Sequence, residues 1–180
     1  MNEKIEKLKN ISDDELKDEI IRYSIYISES KFSIGFSCYG ITKRLASLPY
    51  ECLKDEKTKE IPKNEIEKIQ NISVIIFRLY ISFVYLRSEI FEEKLENIPE
   101  NSKLLTFKEI FGKGRISDRT DTDAQHIRNS ISHGTFRVDN NRIFFTDRNW
   151  NKSYETGVLL ELCEQIIRFY YLAFEVTRNI

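Results

Sequence analysis

The chain has 180 residues, a length that suits one ordinary domain with a full hydrophobic core. Its 28 Lys and Arg residues against 29 Asp and Glu residues give a formal net charge of -1, which excludes a protein that coats polyanions with its whole surface. Any contact with a nucleic acid must therefore depend on a local basic patch. With only 6 Gly and 3 Pro among many Ile, Leu, Lys and Glu residues, the composition favours long helices.

The cysteines and the apolar segments indicate a reduced, cytoplasmic chain. Cys38, Cys52 and Cys163 lack the number and spacing of a disulfide framework or a zinc site, and we expect them to be small buried residues. The N-terminal sequence MNEKIEKLKN has no apolar stretch of the kind found in a signal peptide. The apolar segment 72–86 is shorter than the roughly 20 residues of a membrane span and carries Arg78 at its middle, so we predict a buried helix and no membrane partner.

Helical periodicity dominates the first half of the chain. Ser12 and Glu15 match a capping box and predict a helix that begins there. A second helix is expected over 33–48, before Pro49, and the charged stretch 50–62 is predicted to be a surface loop.

One long helix is then expected from about Asn64 to Leu95, followed by a short helix over 104–111. The next predicted elements, in chain order, are a helix over 122–133 ended by Gly134, strands 136–139 and 142–146 joined by an Asn140–Asn141 turn, and a last helix over 156–178. The sequence therefore predicts a single domain over 1–180, an all-α bundle with a small β-hairpin inserted before the C-terminal helix.

Both histidines of the chain lie in the predicted helix 122–133, whose core face would be formed by Ala124, Ile127 and Ile131. At about 100° per residue, Arg128 and His133 differ by about 140° around the axis and do not share a face. They could flank one groove if the last turn unwinds at Gly134, or if a second subunit supplies the opposite wall. The spacing is thus compatible with a site at a two-fold axis.

These residue types suit the cleavage of RNA without a metal. Such a reaction needs a group that takes a proton from the 2′-hydroxyl and a cation that stabilises the charge developing at phosphorus. Histidine fits the first role because its pKa lies near neutrality, and the planar fork of arginine fits the second. Asn129 could orient His133 or hold a phosphate oxygen, and Ser132 could do the same more weakly.

The segment RNSISH at 128–133 resembles the signature of the HEPN superfamily: Arg, a polar residue that is often Asn, three further residues and then His. In that family the motif lies near the C-terminal end of an inner helix of a four- or five-helix bundle, and two motifs face one cleft in a dimer. Many members are metal-independent endoribonucleases of toxin–antitoxin, abortive-infection or other antiviral systems. The resemblance implies a HEPN-like bundle, a homodimer, an RNA substrate, no cofactor, catalytic Arg128 and His133, and a supporting Asn129.

Basic residues gather on both sides of the motif in the sequence. They are Lys113, Arg115 and Arg119 before it, and Arg137, Arg142, Arg148 and Lys152 after it. Aspartates lie among these basic residues and partly cancel their charge. The pattern therefore fits two interpretations equally well: an ordinary surface of mixed charge, and a basic rim along which RNA binds. On the second interpretation the RNA contacts would come from Ser132, Arg115, Arg119, Arg137 and Arg148. Trp150 could stack on a base, although packing of the hairpin onto the bundle is the favoured interpretation.

Other interpretations of the same residues stay open. Asp118, Asp121 and Asp123 precede a helix, where acidic residues are expected as caps, and with His126 they offer too few oxygen ligands to predict a metal. We expect His126 to be a surface or interface residue rather than a second base. The fold could serve a non-catalytic module that binds RNA or a protein such as an antitoxin, or a structural dimer with an inert charged seam. On a purely structural interpretation, Arg128 would lie on a solvated face and His133 would only stabilise the C-terminal end of the helix dipole.

Overall fold

The structure of the protein is a computed structural model, and it describes residues 1–49, 52, 60–112, 122–139 and 141–179. Over these residues the fold is mostly helical, with a small three-stranded antiparallel sheet before the C-terminal helix. The helices are α1 (Asn2–Asn10), α2 (Asp13–Tyr23), α3 (Glu29–Leu45), α4 (Lys63–Leu79, continued by a π-helical segment, Tyr80–Tyr85), α5 (Glu89–Glu96), α6 (Leu105–Phe111), α7 (Asp123–His133) and α8 (Thr156–Arg178). The strands are β1 (Phe136–Asp139), β2 (Arg142–Asp147) and β3 (Trp150–Glu155).

The local signals for helix ends are confirmed. The Ser12 hydroxyl accepts a hydrogen bond from the Glu15 backbone N–H at 3.2 Å, and the Glu15 carboxylate accepts one from the Ser12 N–H at 3.0 Å. Thr122 caps α7 in the same way by accepting from the Gln125 N–H. Gly134 ends α7 with a φ of 68°, a left-handed conformation that glycine adopts without steric cost.

The prediction of one long helix from Asn64 to Leu95 is wrong. The chain bends by 67° between the π-helical end of α4 and α5. No Gly or Pro lies in this stretch, so the sequence shows no conventional helix breaker. Instead, Ser88 starts a new helix by accepting a hydrogen bond from the Phe91 N–H, and Leu86 fits so closely against Gly35 of α3 that a Cβ there would overlap it.

The predicted hairpin is confirmed by the antiparallel pairing of β1 with β2, and Asn140 of its turn lies outside the described residues. The prediction that the hairpin stands alone is wrong, because β3 pairs with β2 in a register that sets Tyr154 opposite Ile143 and Trp150 opposite Asp147. Strand β3 has the polar sequence WNKSYE, which shows little of the apolar alternation used to recognise strands.

The core surrounds α8, whose inner face is buried along its whole length. Helix α1, which the sequence analysis did not assign, buries Ile5 and Leu8 and packs against α8. Cys163 is buried as expected, but Cys38 and Cys52 are exposed.

Within the described ranges, no single helix is long and apolar enough to cross a membrane. The bent pair Lys63–Tyr85 and Glu89–Glu96 meets the criteria of length and composition only when its two parts are taken together.

Candidate active site

Helix α7 is held in place by a buried apolar face and by one polar anchor. Ala124, Ile127 and Ile131 are buried, as the sequence predicts, and α7 packs on β2 and on the π-helical segment. The buried Ser130 hydroxyl donates a hydrogen bond to the Thr146 carbonyl on β2 at 2.9 Å. These contacts fix the rotation of α7 about its axis, and so they decide where each side chain of the motif points.

Arg128 points toward the break between α4 and α5. Its Nη1 donates a hydrogen bond to Glu92 Oε1 at 2.8 Å. Arg87 binds the same carboxylate through Nε at 2.9 Å and through Nη2 at 3.2 Å. Glu92 is only 4% exposed, so Arg128 is held by an enclosed charge pair rather than lying loose on the surface.

Burial lowers the pKa of the Arg128 guanidinium, and the charge of Arg87 lowers it further, whereas Glu92 opposes both effects. The pKa of Arg87 is raised, chiefly by its hydrogen bonds to Glu92. Both side chains remain cations near neutral pH, since the guanidinium of arginine keeps its proton in proteins. The site therefore keeps a cation at Arg128, and Glu92 fixes its position.

Asn129 lies against the sheet. Its Nδ2 donates a hydrogen bond to Asp147 Oδ2 at 2.9 Å, and His126 Nδ1 binds the same oxygen at 2.8 Å. Burial by itself raises the pKa of Asp147, but the hydrogen bonds from Asn129 and His126 together outweigh it and hold that pKa below its ordinary value. The Asn129 amide is thus oriented by Asp147, and none of the described contacts joins it to His133.

His126 is buried, with 7% of its surface exposed, so the expectation of a surface or interface residue is wrong. Its ring stacks on Trp150, with centroids 4.7 Å apart and planes 15° apart. Trp150 therefore packs the sheet against α7, which is the favoured of the two interpretations from the sequence.

Asp123, in the first turn of α7, binds three side chains of the same strand, β3. It accepts hydrogen bonds from Trp150 Nε1 at 3.2 Å, Lys152 Nζ at 2.7 Å and Tyr154 Oη at 2.6 Å. Burial alone raises the pKa of Asp123, but the donors together lower it below its ordinary value. Asp123 thus ties β3 to α7. Among the described residues, no group of three or more His, Cys, Asp or Glu side chains is arranged to hold a metal, whereas Asp118 and Asp121 lie outside them.

His133 is exposed in the last turn of α7, and the neighbouring Ser132 is exposed as well. The helix remains regular through His133 and ends only at Gly134, so the last turn does not unwind to bring His133 round toward Arg128. Within the described part of the chain, no hydrogen bond or ion pair joins Arg128 to His133. The structure therefore places the two predicted catalytic residues on one helix but not in one cleft of a single copy.

Two of the predicted RNA contacts lie on the sheet. Arg137 is exposed, pairs with Asp139 at 3.2 Å and lies over the Phe144 ring at 4.4 Å. Arg148 is exposed in the turn between β2 and β3, with a φ of 54°. The other two basic contacts predicted, Arg115 and Arg119, lie outside the described residues.

Sequence reasoning missed Glu92 and Arg87. Glu92 and Arg87 lie 36 and 41 positions before Arg128, within the range that the sequence predicted to be one uninterrupted helix. The available signal was Ser88, a strong N-cap residue directly after Arg87 and in the middle of the supposed helix.

Comparisons with protein-family models, with curated proteins and with solved structures find no match to this chain. The site itself offers a fixed, largely enclosed cation at Arg128 and an accessible imidazole, His133, at the end of the same helix.

Proposed function

We propose that the protein is a metal-independent endoribonuclease of the HEPN type, a cytoplasmic homodimer that cleaves RNA without a cofactor in toxin–antitoxin or antiviral defence. The observation that carries the proposal is the pair formed by Arg128 and His133 on α7. Arg128 is fixed by Glu92, whereas His133 is open to a substrate at the C-terminal end of the helix. The assignment to HEPN proteins and to defence follows from the resemblance of the RNSISH segment.

In the proposed reaction, His133 removes the proton from a ribose 2′-hydroxyl. The 2′-oxygen then forms a bond to phosphorus as the bond from phosphorus to the 5′-oxygen breaks. The leaving 5′-oxygen takes a proton from water, and the imidazolium formed at His133 then returns its proton to the solvent. Arg128 stabilises the negative charge on the phosphate oxygens, and the Asn129 amide, held by Asp147 on the sheet side of α7, supports the position of the helix.

The rotation of α7 supports a site shared by two copies. Arg128 lies against Glu92, and His133 differs from it by about 140° around the helix axis. A two-fold axis near the end of α7 would bring the Arg128 of one copy toward the His133 of the other. A single copy offers no such approach in the described residues.

A test follows from this geometry: Arg128→Ala and His133→Ala proteins are purified separately, mixed under conditions that exchange subunits, and assayed for RNA cleavage in EDTA. In a site shared between copies, each mixed dimer contains one cleft with both wild-type residues, so the mixture should regain activity that neither variant has alone. Arg44→Ala, which changes an exposed arginine of α3, is the control for loss of an arginine. An inactive mixture, with subunit exchange verified, would contradict the shared site.

The alternative is a non-catalytic module of the same fold that binds RNA or a protein such as an antitoxin. The specific observation in its favour is that Arg128 and Asn129 both already bind carboxylates of the same chain, Glu92 and Asp147. RNA binding by the wild-type protein without cleavage of any tested RNA would favour this alternative.

A further inference from the structure

The cluster around Glu92 carries more positive than negative charge. We define the Glu92 cluster as Arg87, Glu92, Arg128 and Tyr170. Within it, two guanidinium groups share one buried carboxylate, which leaves a net charge of one positive unit. Lys31 adds to the imbalance, because its ammonium donates a hydrogen bond to the Arg87 carbonyl.

Burial lowers the pKa of Lys31, and the charge of Arg87 acts in the same direction. Of the described acidic side chains, Glu89 also acts on Arg87, and it is exposed to solvent. The excess of positive charge is therefore a property of the enclosed part of the cluster.

Donors of both arginines are left over after Glu92 is bound. Arg87 uses Nε and Nη2, and Arg128 uses Nη1. The remaining groups, Nη1 of Arg87 and Nε and Nη2 of Arg128, have no acceptor among the described residues. These nitrogens are not fully buried. Among the described residues, Ser82 Oγ is the side-chain polar atom that is both fully buried and without a hydrogen-bond partner, and the arginine nitrogens do not belong to that class. These donors therefore reach solvent from a fixed position.

Tyr170 contributes a further donor, its hydroxyl. The residue is 3% exposed, and its ring is held by Phe32 at 5.1 Å and by Phe91 at 5.2 Å between centroids. Burial raises the pKa of its hydroxyl, and the charges of Glu92, Arg128 and Arg87 all act on it. Among the described residues the hydroxyl has no hydrogen-bond partner. It stays protonated and lies near enough to both arginines for their charges to act on it, so it is available to donate to an anion bound at the cluster.

Stability alone does not account for this arrangement. A buried ion cluster costs so much desolvation that apolar residues of similar volume are often as stabilising or more so. A phosphate group, in contrast, suits an unbalanced pair of guanidiniums, because each planar fork can bind two of its oxygens.

We propose that Arg87, Arg128 and Tyr170 form a phosphate-binding subsite, with Glu92 as the positioning residue that holds both arginines. Its assignment to a phosphodiester of RNA rests on the proposed function. Arg87 lies outside the sequence motif. On this assignment it binds the same RNA chain as Arg128 and determines the position of that RNA relative to His133. The net positive charge of the cluster is neutralised when the phosphate binds.

The test measures binding apart from cleavage, in proteins that carry His133→Ala. The affinity of a short fluorescent RNA is measured by anisotropy in EDTA, and inorganic phosphate is added as a competitor and as a thermal stabiliser. Arg87→Ala and Tyr170→Phe should each weaken binding about tenfold, as loss of a hydrogen bond to a charged group does. Tyr170→Phe keeps the packed ring, so it gives an answer even if Arg87→Ala folds poorly. The matched controls are Tyr171→Phe, the next residue on α8, and Arg22→Ala on α2, both exposed.

The outcomes separate this inference from the proposed function. RNA cleavage by the wild-type protein, with binding unchanged in both variants, would overturn the subsite and leave the nuclease standing. Binding that depends on Arg87 and Tyr170 in a protein that cleaves no RNA would support the subsite while the nuclease fails. Binding of inorganic phosphate without RNA would assign the same subsite to a free phosphate.

Discussion

Two of the carboxylate-centred contacts of α7, those at Asp123 and at Glu92, differ in how fully their charges are balanced. On the sheet side, Asp123 is bound by a tryptophan, a lysine and a tyrosine, so its charge is matched by one cation and two neutral donors. On the other side, Glu92 is matched by two cations, Arg87 and Arg128, and donors are left over. On the sheet side the charge of Asp123 is balanced, and the contact has a structural role. On the Glu92 side a net positive charge and unused donors remain, and these could bind an anion.

The largest effect on stability is expected from Glu92→Ala. Removing the carboxylate leaves the half-buried Arg87 and Arg128 beside each other without a counter-charge, which should cost about 3 kcal/mol, the lower end of the range for breaking a buried ion pair. The free energy of unfolding, measured in urea, should fall far more than in Glu89→Ala, an exposed glutamate of the same helix. Equal losses in the two variants would show that the Glu92 cluster is not an enclosed charge network.

Glu92→Gln tests the charge of Glu92 separately from its hydrogen bonds. The amide keeps an acceptor for the arginines but removes the negative charge, so an added anion can take its place. Inorganic phosphate should raise the Tm of Glu92→Gln more than that of the wild type. Glu89→Gln should respond to phosphate as the wild type does, and an identical response of Glu92→Gln would count against anion binding there.

On the sheet side, Asp123→Asn should reduce the free energy of unfolding at neutral pH by about 1–2 kcal/mol, the scale of hydrogen bonds to a charged group. Because the folded-state pKa of Asp123 is lowered, its contribution is present above the unfolded pKa of about 4 and is lost as the pH falls through the folded pKa. The difference between wild type and variant should therefore be constant near neutrality and shrink below about pH 4. Asp139→Asn, at an exposed pair with Arg137, is the control, and a pH-independent difference for Asp123→Asn would refute the pKa shift.

The smallest effect concerns the end of α7. Gly134→Ala forces a Cβ into a left-handed conformation and should cost about 1 kcal/mol. Gly40→Ala, in the exposed interior of α3 with open space for a Cβ, should instead stabilise the protein by about 0.5–1 kcal/mol. Thermal unfolding of the two variants should therefore shift in opposite directions, and stabilisation by Gly134→Ala would contradict the geometry of this helix end.

The features that the sequence predicted correctly are local ones. The capping box at Ser12, the start and end of α7, and the hairpin all depend on residues within a few positions of one another. The buried face of α7 followed from helical spacing alone.

The features that were missed depend on distant partners. The Arg128–Glu92 pair joins two helices whose approach is set by the bend after α4, and no periodicity reports such a bend. Strand β3 is joined to α7 by hydrogen bonds from Trp150, Lys152 and Tyr154 to Asp123, and its polar sequence lacks the apolar alternation used to recognise strands.

We propose that His133 acts in catalysis and contributes little to folding. The most direct test of this proposal is cleavage of a mixed RNA pool in EDTA by the wild type and by His133→Ala, with the free energy of unfolding measured for both. An exposed imidazole at a helix end contributes at most about 1 kcal/mol, so the variant should stay folded while cleavage falls about 10²–10⁴-fold. Unchanged cleavage by a folded His133→Ala protein would contradict the account.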